Sequence, residues 1–326
     1  YYRADLLEAA GLKPPQTWDQ YQELVGSLET WAPGKTAVEP WSPEFRATMF
    51  LARAAAYAQH PDTFSLYFGV SSGEPLIASP GFVQALEDCA AVWEVLSADV
   101  GSMSPADCRR ELLGGRAAIG IAYETDDNTA PEAEVDLFAN REPEAAFGFC
   151  RLPGRLEVYN SSSKRWATFP AAAVNQVTLT AFTGWMAGVT AQPETESAAA
   201  WNLVASLTVA DVSLPFPEGT RSLCRISQTP YAAELIGSGL TTGEAQSYGA
   251  VVAASLDDMR VVAELPMVGR DELRQALTEG LNSVFDDDAE PEAALQEVAA
   301  KWREIVTRIG ADQVVGSYRH SLGLRD

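Results

Sequence analysis

The chain has little with which to do metal or acid–base chemistry. Only two histidines, His60 and His320, occur in 326 residues, which removes most histidine-based metal sites and catalytic triads. Cysteine is also sparse. Cys89, Cys108, Cys150 and Cys224 stand far apart with no C-x-x-C pair, so neither a zinc site nor a thioredoxin motif is present. They read as small buried apolar residues, with a Cys89–Cys108 bridge between neighbouring helices open in an oxidising compartment. Basic residues are outnumbered, 23 against 45 acidic, for a net charge of −22. That balance opposes a nucleic-acid or anionic-membrane role, because phosphate binding needs clustered Lys and Arg. It suits a soluble surface and a neutral or cationic ligand. No segment approaches the roughly 18 to 20 uninterrupted apolar residues of a transmembrane helix, which excludes a helical-bundle membrane protein. No basic-then-apolar leader stands at Tyr1, as expected of a mature or trimmed secreted protein.

What is present is enough apolar residue, 47% of the chain, to bury one large core or two ordinary ones. Leu6, Leu7, Ala9 and Ala10 recur at helical spacing until Gly11 and Pro14-Pro15 stop them. Thr17 is placed to cap a second helix from Trp18, with Gln20 completing a capping box and Tyr21, Leu24, Val25 and Leu28 on one face. A short strand over Lys35–Trp41 precedes an alanine-rich helix at Ala47–Ala58. Ser79-Pro80 opens a helix whose buried stripe runs through Phe82, Leu86, Cys89, Trp93 and Leu96. A shorter helix from Pro105 ends at Gly114-Gly115, before an apolar strand at Ala117–Tyr123. A hairpin is expected from Leu156–Tyr159 and Arg165–Phe169, a strand at Gly184–Thr190, and helices at Glu194–Leu207, Asp271–Phe285 and Pro291–Ile309. This order suggests α/β packing, with sheet strands covered by helices.

Most motif-like stretches have plainer readings. Gly69-Val70-Ser71-Ser72-Gly73 matches the G-x-S-x-G elbow of α/β-hydrolases, but that motif needs a helix at once, and Pro75 and Ser79-Pro80 put a loop there. Asn160-Ser161-Ser162 is a glycosylation sequon and, more economically, a turn. Asp286-Asp287-Asp288 lacks the spaced ligands of a calcium loop. Of eight tryptophans, Trp18, Trp93, Trp201 and Trp302 fall on apolar helix faces and read as core. Trp41 and Trp185 sit beside a turn or strand end, where a ring can line a cleft.

The run from Tyr1-Tyr2 through Asp5-Leu6-Leu7, Ala10-Gly11-Leu12 and Thr17-Trp18-Asp19 resembles a segment of the extracellular solute-binding proteins that serve ABC sugar importers, the maltose-binding-protein-like family. Four later stretches resemble the same family in the same order: Glu111–Ile119, Phe147–Gly154, Gly184–Leu207 and Glu290–Leu295. In that family the opening run follows the first crossover between two lobes. The resemblance therefore implies a two-lobed α/β fold, periplasmic-binding-protein-like of type II, with the first lobe incomplete. It assigns 1–154 plus 265–326 to the second lobe, 155–174 to a hairpin crossover, and 175–264 to a remnant of the first lobe.

The resemblance implies a binding protein, not an enzyme, with no cofactor or metal. It would act as a monomer in the periplasm or outside the cell, anchored there if a preceding segment carries an anchor, with importer membrane subunits as partners. The ligand it implies is a saccharide or similar polyol. Sugar rings stack their C–H faces on aromatic rings and hydrogen-bond carboxylates and amides, and Glu39-Pro40-Trp41 supplies that pairing in the position of the family's Glu-Pro-aromatic element. Tyr123 and Glu124 take the place of cleft residues, without the family's usual Gly and Trp. Trp185 and Arg270 complete the expected set. A carbohydrate-active or hydrolase-type enzyme using Ser71, and an interaction domain that has lost its ligand, are the two alternatives.

Overall fold

The computed structural model describes residues 1–123, 141–142, 144–180, 189, 194–207, 209, 223, 225–235 and 240–324. Glu124, Trp185, Cys224 and most of the strand expected at Gly184–Thr190 lie outside them. The helices are α1 (Ala4–Ala9), α2 (Trp18–Gly26), α3 (Leu28–Trp31), α4 (Pro43–Ala58), α5 (Pro80–Trp93), α6 (Pro105–Leu113), α7 (Glu194–Leu207), α8 (Ala232–Leu235), α9 (Thr242–Leu256), α10 (Arg270–Asp287), α11 (Pro291–Ile309) and α12 (Ala311–Ser321). The strands are β1 (Tyr2–Arg3), β2 (Thr36–Val38), β3 (Ala117–Gly120), β4 (Phe147–Gly148), β5 (Glu157–Asn160), β6 (Arg165–Thr168), β7 (Thr178–Thr180) and β8 (Val261–Ala263).

Local chemistry accounts for most of these boundaries. The Thr17 hydroxyl accepts from the Gln20 N–H at 3.2 Å while the Gln20 side chain accepts from the Thr17 N–H at 3.3 Å, so two orphan donors of α2 are satisfied reciprocally. Ser104 and Asp107 do the same for α6, and Thr241 and Glu244 for α9. The helix expected to begin at Ala47 begins at Pro43. Ser42-Pro43 is the same opening signal as Ser79-Pro80, since a proline at the first helical position gives up no bond and arrives with the right φ. Asn160 closes the β5–β6 turn by accepting from the N–H groups of Ser162 and Ser163, each at 3.0 Å.

The main sheet has the order β2-β3-β1-β4. β2 and β3 run parallel, with Val38 opposite Gly120, and β1 is antiparallel to both β3 and β4. All four residues of β3 are buried, as expected of a strand covered on both faces. Gly120 is required there, because a Cβ would lie 2.5 Å from the Val38 carbonyl oxygen and force the parallel pair apart.

The core that supports this sheet comes from both ends of the chain. Phe50 and Tyr57 of α4, Phe82 and Leu86 of α5, Leu277 of α10 and Trp302 of α11 are all fully buried in one cluster. Trp302 stacks on Phe68 with centroids 5.5 Å apart, and its indole N–H donates to the Leu273 carbonyl at 2.9 Å. β7 and β8 form a separate two-stranded parallel sheet, Thr178 opposite Val261. It is tied to α4 by Asn175, whose side-chain amide donates to the Ala56 carbonyl at 2.8 Å and accepts from Arg260 at 2.9 Å.

The reading of Cys89 and Cys108 as buried apolar residues is borne out, and the one of α7 is corrected. Cys89 and Cys108 are both buried and unbridged, and burial pushes the Cys89 thiol up to about 12, so it stays protonated and inert near neutral pH. α7 has the expected bounds, but Trp201, Leu203 and Leu207 on its apolar stripe are 56%, 62% and 42% exposed. An amphipathic pattern specifies a face to be covered, and the described residues do not cover this one.

Candidate functional site

The parallel pair β2–β3 sets the place where a site can form. Open α/β sheets receive ligands beyond the carboxyl ends of their parallel strands, where the chain leaves the sheet and backbone groups come free. Here β2 exits into Glu39-Pro40-Trp41 and the first turn of α4, and β3 exits into Ile121, Ala122 and Tyr123.

Two half-buried aromatic rings meet at this mouth. Phe45, in the first turns of α4, lies edge-on to Tyr123, with centroids 6.2 Å apart and planes at 71°. The buried Arg109 of α6 donates to the Tyr123 carbonyl and fixes the strand exit. Phe45 was not legible as a site residue. Its signal is that it stands one step out of the buried stripe of α4, a signal hidden when the helix is begun at Ala47.

Glu39 and Trp41 lie beneath the mouth and not on its surface. Glu39 is 0% and Trp41 1% exposed. One Glu39 carboxylate oxygen accepts from the Trp41 indole N–H at 2.8 Å, and the other from Arg53 at 2.7 Å. The Arg53 guanidinium in turn lies 4.2 Å above the Trp18 ring. Trp41 packs its ring on Phe285, 4.9 Å away, and beside Trp93. As placed, neither side chain presents a face to a ligand. A carboxylate taken out of water needs both oxygens satisfied, and this carboxylate finds its partners within the chain.

Arg270 stands at the start of α10. Its guanidinium is 3.6 Å from Glu264, which is 1% exposed. Arg274 donates to the same carboxylate at 2.9 Å, and the Thr48 hydroxyl at 3.1 Å. Glu264 directly follows β8, and Leu265 after it holds a φ of +46°, a left-handed value unusual for leucine. The first turns of α4 therefore carry Phe45 toward Tyr123 and Thr48 toward the Arg270–Glu264 cluster. Of the six expected residues, the structure brings Glu39 and Trp41 together, sets Tyr123 beside Phe45, and keeps Arg270 with Glu264.

No elbow forms at Ser71. The residues around it are turns, and the next helix begins at Pro80. Among the described residues no three His, Cys, Asp or Glu side chains converge as metal ligands, and no described helix is long and apolar enough to cross a membrane.

No family model and no curated protein matches the chain. Solved structures do. Maltose-bound MalE3 of T. maritima superposes with a TM-score of 0.59 at 17% identity, over 93% of this chain and 69% of that one. The cyclic alpha-maltosyl-1,6-maltose binding protein of Arthrobacter globiformis gives 0.60 at 15% identity, over 94% and 69%. An ABC transporter solute-binding protein of Agrobacterium radiobacter K84 in complex with ribitol gives 0.54 at 17%, over 92% and 67%. The class is thereby defined by fold. This chain has the α/β fold of type II periplasmic binding proteins and spans about seven-tenths of the length of those chains.

Proposed function

We propose that this chain is an extracytoplasmic solute-binding protein that captures a saccharide or similar polyol and presents it to the membrane subunits of an ABC-type importer. The observation that carries the reading is the Phe45–Tyr123 pair, two half-buried rings at the carboxyl end of β2 and β3, in a fold shared with proteins described with maltose and ribitol. Aromatic rings at a mouth offer flat apolar area to the C–H face of a sugar while hydroxyl groups find polar partners around it.

In this reading Tyr123 and Phe45 form the platform, and Glu124, Trp185 and Arg270 supply further contacts. Glu39 and Trp41 hold the platform from below by fixing the strand exit and the start of α4. The lobes divide as 1–154 with 265–326 against 175–264, joined through 155–174, and ligand contacts on both favour a closed form over an open one. No bond is made or broken. A micromolar complex corresponds to about 8 kcal/mol, which a stacked ring and several hydrogen bonds of about 1 kcal/mol net each supply when the site is preorganised.

Calorimetric titration with maltose, stachyose and ribitol tests the reading, alongside an assay for glycoside and ester hydrolysis. Saturable binding of at least one of these without turnover is expected. Hydrolysis lost in Ser71→Ala would replace the reading with an enzyme, and no binding by the panel or by other mono- and oligosaccharides would leave only a ligand-free interaction domain.

A further inference from the structure

We propose that the outer edge of β6, with the Lys164–Arg165 tip beside it, docks an extended acidic segment of a partner protein, which adds as a further strand to the β5–β6 hairpin. The inference rests on the hairpin and not on the identity of any small ligand.

One strand of the hairpin is anchored and the other is free. β5 lies against α4 and α5, with Val158 fully buried and Tyr159 9% exposed. His60, just beyond α4, lies 3.3 Å from the Asn160 amide, and its ring packs 5.5 Å from Phe169. β6 by contrast pairs with β5 alone among the described residues, and Arg165, Trp166 and Thr168 are exposed. The Phe169 N–H donates to the Leu156 carbonyl at 2.7 Å, which sets the phase of the ladder. With Val158 opposite Ala167 and Asn160 opposite Arg165, the alternation of an antiparallel pair turns the backbone groups of Arg165 and Ala167 toward β5. Those of Trp166 and Thr168 then point outward. An edge of outward N–H and C=O groups is the template on which an extended peptide adds.

Charge and an exposed ring indicate what kind of segment fits. On a chain of net charge −22, most described cations are matched by an acid, as Arg155 is by Asp19 and Arg303 by Glu74. Lys164 and Arg165 stand side by side with no ion pair among the described residues. The run 163–169 reads Ser-Lys-Arg-Trp-Ala-Thr-Phe, without an acid. Trp166 is 43% exposed and leans on Tyr159 across the hairpin, with centroids 5.5 Å apart. Opposite charges and aromatic rings are the cross-strand pairs that stabilise neighbouring strands. Charges alone can guard an edge against pairing, but a guard has no use for an exposed tryptophan beside it. The acid-rich remainder of the surface repels an anionic membrane, so the complement of this edge is an acidic polypeptide. The hairpin packs at the carboxyl end of α4, which has 16 residues and so spans about 24 Å. Phe45 is at the other end, and a segment docked on β6 leaves the mouth open.

The test uses the 326-residue chain and a short blocked peptide that alternates Glu with Val. Titration should show saturable binding that weakens with salt. Residue-resolved hydrogen exchange should slow at Trp166 and Thr168 and stay unchanged at Ala167, whose amide already faces β5. Thr168→Pro removes an outward N–H without breaking the β5 ladder, and should abolish binding while leaving the unfolding midpoint in place. Lys164→Glu combined with Arg165→Glu should weaken binding about tenfold, the joint effect of two opposite-charge pairs. No binding at millimolar peptide, equal binding of a Lys–Val counterpart, or protection that spares Trp166 and Thr168 would overturn the proposal. So would attachment to phosphatidylserine vesicles that survives Thr168→Pro, because the tip would then be a lipid anchor. Self-association of the charge-reversed chain through β6 would overturn it too, since the two cations would then be guards of the edge.

Discussion

Arg53 donates to Glu39 across 2.7 Å with both side chains withdrawn from water, at 1% and 0% exposure. The pair ties α4 to the exit of β2, and the same carboxylate holds the Trp41 indole. Buried pairs gain little over a well-packed apolar substitute, but losing one partner strands the other charge. Arg53→Met should therefore destabilise the chain by about 3–5 kcal/mol. Adding Glu39→Leu to it should restore part of the loss. A double-mutant cycle from urea unfolding midpoints reads the coupling, and additive single and double losses would show that the ion pair does not act as a unit.

Tryptophans of similar sequence context should differ sharply. Trp302 is fully buried and stacked on Phe68, so Trp302→Ala should cost about 3–5 kcal/mol. Trp201 is 56% exposed, so Trp201→Ala in the 326-residue chain should stay within about 0.5 kcal/mol. Thermal and denaturant unfolding of the two variants decide the matter, and equal losses would contradict the exposure of α7.

Acid should weaken the attachment of α9 through Glu244. Burial by itself would raise this carboxyl, but donation from Arg141, from the Phe147 N–H and from Thr241 outweighs it and holds the group below the ordinary glutamate value. A carboxyl depressed in the folded state adds stability that is fully present above its unfolded pKa and is lost as pH falls through its folded one. Stability should thus be flat near neutrality and fall below about pH 4.5, glutamate's ordinary value. Glu244→Gln should flatten that fall while lowering stability at pH 7. Unfolding midpoints across pH 3–7 measure this, and an unchanged pH slope in the variant would count against Glu244.

Ligand affinity should depend on the rings at the mouth more than on the indole beneath them. Phe45→Ala and Tyr123→Ala should each weaken saccharide binding by about tenfold, the equivalent of 1.4 kcal/mol, with little loss of stability because both rings are half-buried. Trp41→Phe should act mainly on stability, since its ring packs on Phe285 and Trp93. Titration and unfolding of the same three variants separate the two effects. Full affinity in Tyr123→Ala would remove it from the site.

The helix starts were legible because their signals are local. Thr17 and Gln20 close a capping box on α2, Pro80 and Pro291 stand at the first position of their helices, and the α7 and α11 bounds follow the spacing of apolar residues. The Asn160 turn is of the same kind. Phe45 was hidden because its helix opens four residues before the apolar run that announces it. Exposure on α7 was illegible for another reason, since a stripe at 3.6-residue spacing specifies that a face is apolar and says nothing of what covers it.

The Glu39-Pro40-Trp41 run marks the boundary between the two kinds of knowledge. Sequence alone determined that an acid and an aromatic ring stand together where a strand ends, and that the chain alternates helices and strands in α/β order. Whether those side chains face a ligand or the core depended on Arg53, 14 residues on, and on Phe285 at the far end of the chain. Burial of a charge is decided by the partners that tertiary folding delivers to it, and no local pattern encodes them.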